Sequence, residues 1–139
     1  MASFNKFQSF VEAVAEKTHN LGADTLKVML TNSAPVNTNT VKANLTEISA
    51  GSGYTAGGTA ARITSSAQTS GTYKLVLADV VFTASGGTIG PFRYVVLYND
   101  TATNDELIGW WDYGSSITLN DGETFTTDFD ASAGVLTIA

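Results

Sequence analysis

At 139 residues, with no charge run or proline cluster to divide it, the chain is sized for a single domain, 1–139, that buries its own core. Thirteen Asp and Glu against seven scattered Lys and Arg give a net charge of −6, so nucleic acid is not an expected partner, because neutralising phosphate takes clustered basic side chains. Cysteine is absent and no apolar run nears the roughly 20 residues that cross a bilayer, so neither disulfides, thiolate metal sites nor a membrane is expected.

In chain order, Phe4, Phe7, Phe10, Val11, Val14 and Ala15 recur at intervals of three and four, opposite Lys6, Glu12, Glu16 and Lys17. That spacing predicts one amphipathic helix over residues 4–18. Ser3 is placed to cap its start, and Asn20 with Gly22 to close its end. A polar face carrying acids and bases equally suits packing on a sheet or a partner subunit better than a membrane surface.

The period then becomes two. Leu26, Val28 and Leu30 alternate with Lys27, Met29 and Thr31, as in a half-buried strand. Residues 32–58 are long, polar and rich in Thr, Asn and Gly, with at most a helical turn around Val41 to Leu45. Loops of that length are functional or mobile. The stretch is therefore read as a polar arm reaching a neighbour, and deleting residues 33–57 is expected to leave a folded domain that no longer binds.

The β-rich core is read as 24–31 and 60–139. Its later strands are expected at Ala61 to Ser65, Tyr73 to Ala84, Phe92 to Tyr98, Glu106 to Asp112, Ser116 to Leu119, Thr124 to Phe129 and Val135 to Ile138. In the second of these the apolar parity slips between Leu77 and Val80, which suggests a bulge or burial on both sides. Turn signals stand at Ser85-Gly86-Gly87, Asn99-Asp100, Asn120-Asp121-Gly122 and Ala133-Gly134, and the third reads as a hairpin joining Leu119 to Phe125. Short strands at regular spacing predict a mainly β fold, an antiparallel sandwich or barrel of jelly-roll-like kind.

Chemistry is thinly represented. His19, the single histidine, sits where the helix should end, and a cation there offsets the helix dipole. No Gly-x-Ser-x-Gly elbow occurs. Glycines in Gly51-Ser52-Gly53 and Gly57-Gly58 lack a following Gly-Lys-Ser/Thr, so close backbone approach or flexibility at an interface explains them better than a phosphate cradle. Acids gather at Asp100, Asp105 and Glu106, at Asp121 and Glu123, and at Asp128 and Asp130. They read as a solvated rim, with calcium as the alternative. No catalytic residue, cofactor or resident metal is therefore assigned.

Trp110 and Trp111 should point to opposite faces of a strand, with Trp110 sharing the face of Ile108. One enters the core. The other is free to anchor a protein interface or stack on a sugar ring.

Several blocks resemble a known family: Phe4-Asn5-Lys6-Phe7, Asp24-Thr25-Leu26-Lys27-Val28, Glu47-Ile48 leading to Gly53-Tyr54-Thr55-Ala56-Gly57-Gly58, Gly90-Pro91-Phe92-Arg93-Tyr94, and Gly109-Trp110-Trp111-Asp112-Tyr113-Gly114. Together they are similar to small structural proteins encoded among the head genes of tailed bacteriophages. The resemblance implies a virion protein, made in the bacterial host cytoplasm, that decorates or cements the capsid surface. Its implied partners are the major capsid protein and further copies of itself, a trimer being favoured, with no active site. Candidate interface residues are Phe4, Phe7, Tyr54, Trp110, Trp111 and Tyr113. The alternatives are a tail or fibre component, or a carbohydrate-binding module that stacks sugars on Trp110, Trp111 and Tyr113.

Overall fold

The apolar runs at Leu26–Thr31 and Val95–Tyr98 are too short for helices and too continuous for a strand wetted on one side. In the computed structural model, which describes residues 2–139, they pair antiparallel, Val28 opposite Leu97 and Leu30 opposite Val95. These strands are β2 (Leu26–Thr31) and β7 (Ile89–Asn99), the middle of a five-stranded sheet. Its order is β1 (Asn5–Lys6), β8 (Leu107–Leu119), β7, β2, β3 (Thr59–Ala61). A three-stranded sheet runs β10 (Leu136–Ile138), β5 (Thr72–Leu77), β4 (Ile63–Thr69), and β6 (Val80–Thr83) pairs with β9 (Thr124–Thr127). Among the described residues every strand pairing is antiparallel, and no sheet closes into a barrel.

Alternation along β2 and β7 divides their side chains between two buried clusters. Val28, Leu30, Val95 and Leu97 join Leu75, Leu77, Val80 and Phe82 from the smaller sheets. Met29, Val96 and Tyr98 turn the other way, to Phe7 and Leu107. Thus β2 is buried on both faces instead of one, and each such side chain taken fully out of water contributes about 1.5–3 kcal/mol.

The expected helix over 4–18 shortens to α1 (Ser9–Ala15). Asn5 and Lys6 pair instead with Trp110 and Gly109 at the edge of β8. That choice sends Phe4 to one face of the sheet, against Trp111, and Phe7 to the other, against Trp110. A helix would have put both rings on one side. Gln8 occupies the N-cap with no side-chain bond, so Ser3 does not cap. At the other end Thr18 N–H bonds Ala13 O and Lys17 N–H bonds Val14 O, a Schellman closure with Lys17 in the left-handed region at φ 69°. Asn20 and Gly22 are not needed for it.

The run from Tyr73 to Ala84 is two strands in two sheets, broken at Ala78 and Asp79, and this explains its parity slip. Ala78 N–H bonds Arg62 O, and Asp79 accepts from Phe129 N–H. The Asn120 to Gly122 turn forms, with Glu123 N–H on Asn120 O, but it joins no hairpin: β8 pairs with β7 and β9 with β6. The tight hairpin lies elsewhere, between β4 and β5, where Ser70 and Gly71 both take positive φ.

Residues 32–58 do not reach outward. The segment crosses the open edge of β2 at a Thr31–Glu47 bridge, meets β8 near a Val41–Glu106 bridge, and lays Leu45 on the second cluster. A hydrogen-bond set pins it. The buried Tyr54 hydroxyl accepts from Leu30 N–H at 3.1 Å and donates to Glu47 Oε2 at 2.7 Å, which also accepts from Gly57 N–H. Burial, then the Glu47 acceptor, pushes the Tyr54 phenol far above its ordinary pKa. The Tyr98 hydroxyl donates to Gly57 O at 2.6 Å. At Gly58, in positive φ, a Cβ would overlap the Val28 carbonyl, so the glycine pair provides close approach to the protein's own β2. Deleting residues 33–57 would remove this cover and the buried Tyr54, so the structure argues for a destabilised domain where a spared one was expected.

Candidate functional site

The bulge in β8 decides what reaches the surface. Leu97 pairs with Gly109 but Tyr98 with Leu107, so Ile108 is an extra residue and the parity of the strand flips there. Trp110 consequently shares the face of Leu107, not that of Ile108, and lies half-buried on Phe7 with ring centroids 4.7 Å apart. Trp111 falls on the face of Ile108, and Tyr113 two residues on shares it. The two tryptophans do point oppositely, but the expected pairing with Ile108 is reversed.

Trp111 and Tyr113 form one wall of a groove of about 480 Å³. Phe125 of β9, Phe129 just beyond it and Phe4 line it as well. The rings touch in two sets: Phe4 to Trp111 at 5.3 Å and Trp111 to Phe129 at 5.5 Å, and separately Tyr113 to Phe125 at 5.6 Å. Tyr113 stays 53% exposed. Thr127 is 8% exposed, and its hydroxyl has no hydrogen-bond partner. Asp128 and Asp130 complete the lining, and Lys and Arg contribute none of it. The Ala133 and Ser132 N–H groups, bonded to Asp130, hold its carboxyl below the usual range.

The six expected interface residues therefore separate. Trp111, Tyr113 and Phe4 meet in the groove, Trp110 faces away, and Phe7 and Tyr54 are core side chains at 0% and 2% exposure. Phe125, Phe129 and Thr127 belong to the groove and escaped the sequence reading. Their alternation on β9 was visible, but a hairpin at Asn120 would have paired β9 with β8 instead of setting it across a gap.

His19 is not a cation at a helix end. It is 6% exposed, and burial pulls its pKa below 6.5 despite Glu106 and Asp24 nearby. The Asn99 amide donates to His19 Nδ1 at 2.9 Å and to Asp24 Oδ2 at 2.7 Å, while its carbonyl accepts from Thr101 and Ala102 N–H. This network assigns the ring proton to Nε2, which has no partner.

The acids cap turns and pair with neighbours. Asp121 accepts from Gly86 N–H, Glu123 from Asn120 N–H, and Asp100 pairs with Lys27 at 3.2 Å. On the outer side of β8, Arg93 grips Asp112 through two bonds of 2.8 and 3.1 Å, which holds that carboxyl low. Among the described residues no three His, Asp or Glu side chains gather as a metal-holding group, and no helix is long and apolar enough to cross a membrane.

Comparison with family models, curated proteins and solved structures finds no match to this chain.

Proposed function

We propose that this chain is a non-catalytic virion structural protein, a capsid decoration or cement protein that docks on the major capsid protein as a homo-oligomer, with a trimer favoured. The groove carries this reading. Partly exposed aromatic rings lining a recess are the kind of anchor from which protein interfaces draw most of their energy. Trp111 is held by β8 through its pairing with Val95 of β7, and Tyr113, in the irregular stretch that follows, rests edge-on against Phe125, so little freedom is lost on binding. A chain in which only 14% of residues are charged adds few long side chains to immobilise. Many copies acting on one shell would turn modest contacts into firm retention.

The blocks that carry the bacteriophage resemblance bear on the same place. Gly109 to Gly114 lies in β8 and supplies Trp111 and Tyr113 to the groove, and Gly90 to Tyr94 lies in β7, just before the lining residue Val95. We further read the five-stranded sheet and the smaller sheets as two layers of a jelly-roll-like sandwich, since Leu30 and Leu97 share a core with Leu77 and Phe82. A saccharide-stacking module is the second reading, favoured by Trp111 and Tyr113 side by side; Trp110, on the other face, takes no part in it.

The test is to mix the purified protein with shells of the major capsid protein from its own genome and image them by cryo-electron microscopy. Regular density between capsomers, with Tyr113 at the contact, is the expected result. Bare shells would overturn the capsid reading and turn attention to the tail and its fibres.

A further inference from the structure

We propose that the groove receives a cationic side chain, an arginine or lysine carried on a basic segment of the partner protein. This rests on the docking function above and names the chemistry its partner presents. Aromatic faces are electron-rich, and a guanidinium or ammonium group within reach of several of them is drawn to each. Phe4, Trp111, Tyr113 and Phe125 supply such rings around one recess. Asp128 and Asp130 stand with them; no Lys or Arg lines the groove, and Lys74, bonded to Ser132 O beside it, acts on Asp130 and leaves Asp128 as the carboxylate without a basic neighbour in the lining. The chain as a whole carries −6. An incoming cation would meet a concave acidic site on an acidic protein, the arrangement that steers association.

A second observation points into the same recess. The Thr127 hydroxyl, more than nine-tenths buried, has no partner, and a buried hydroxyl left unpaired costs free energy. Its oxygen is closed to solvent in the free protein, so a guanidinium N–H reaches it only if the lining side chains shift on binding. Arginine fits better than lysine, because its planar head stacks on a ring while its edge donates. A neutral saccharide fits less well: sugar hydroxyls ask for donors as well as acceptors, and the lining has carboxylates but no amide or basic side chain.

The experiment uses the full chain carrying Trp110→Phe, so that Trp111 alone reports by fluorescence, with its melting curve confirming the fold. It is titrated with a capped Gly-Arg-Gly tripeptide, with the same tripeptide containing citrulline, the neutral isostere of arginine, and with a neutral oligosaccharide. The arginine peptide should bind saturably, the citrulline peptide about tenfold more weakly, as expected for losing a partly desolvated cation–π contact. Asp128→Asn should weaken the arginine peptide several-fold, and added salt should do the same. Should Trp110→Phe not fold, the wild-type amide signals of Tyr113 and Asp128 replace the fluorescence. Equal binding of the two peptides, selective binding of the oligosaccharide, or no saturable change would each overturn the inference. Shell binding, measured in parallel, separates the two proposals: decorated shells without arginine selectivity sink the cation site alone, and bare shells sink the docking function.

Discussion

The two faces of the five-stranded sheet are both dry, yet they are closed by different means. One face meets the strands of the smaller sheets, and Leu30, Val95 and Leu97 pack on Leu75, Leu77 and Phe82 in a broad apolar cluster. The other has five fully buried members, Phe7, Met29, Val96, Tyr98 and Leu107, under a segment that offers Leu45 and little else apolar. That cover is tied down by hydrogen bonds of Glu47 and Tyr98 and by Tyr54, whose ring lies in the first cluster against Phe82 while its hydroxyl bonds Glu47. An apolar face spreads its stability over many contacts. A hydrogen-bonded cover concentrates it in a few atoms, and those atoms are where it can be broken.

Breaking the apolar face should have the largest effect. Phe92 is fully buried and stacks edge-on to Phe125 at 5.0 Å, so Phe92→Ala should cost about 3–5 kcal/mol in urea unfolding. Breaking the cover comes next. Tyr54→Phe leaves the buried Leu30 N–H and one Glu47 bond unpaired, for about 1–3 kcal/mol. Hydrogen exchange sharpens the contrast: the Leu30, Ile48 and Gly57 amides should speed up in this variant, and those of Leu75 and Leu77 should not.

Acid should act through the His19 network, which ties the loop after β7 to the end of α1. A histidine whose pKa is lowered on folding gives stability that is complete above its unfolded value near 6.5 and is lost as pH falls toward the folded value. Unfolding free energy should therefore drop on acidification below about pH 6.5, with a slope of at most about 1.4 kcal/mol per pH unit for one proton, the ring facing Asp24 and Glu106, and the melting temperature should fall with it. His19→Gln should flatten that slope. The smallest effect belongs to Arg93→Ala, since the Arg93–Asp112 pair is exposed and its melting temperature should scarcely move.

Much of the fold was legible in period and turn chemistry. The alternation from Leu26 to Thr31 and the apolar run at Val95 gave β2 and β7, and hence a mainly antiparallel β protein with one helix. What escaped depended on partners distant in sequence. Phe4 and Phe7 have helical spacing, but pairing of Asn5 and Lys6 with β8 overrides it, because Gly109 leaves room for the Phe4 ring. The bulge at Ile108 depends on the β7 register, and without that register the faces of Trp110 and Trp111 cannot be assigned. Residues 32–58 looked like an arm because the atoms that pin them are hydroxyls, carboxylates and backbone, which carry no hydrophobic signature. Half of the candidate interface was legible for the same reason: Phe4, Trp111 and Tyr113 announce themselves as aromatics, whereas Phe7 and Tyr54 look no different until burial sorts them.

The most direct measurement sets the groove against the segment once read as an arm. Tyr113→Ala and Val36→Asp each change a side chain more than half exposed, at 53% and 54%, so neither should alter the fold. Both are sedimented with shells of the major capsid protein beside the wild type. The account predicts that wild type and Val36→Asp pellet with the shells while Tyr113→Ala stays in solution at an unchanged melting temperature. Retention of Tyr113→Ala with loss of Val36→Asp would contradict it, and would return the docking role to residues 32–58.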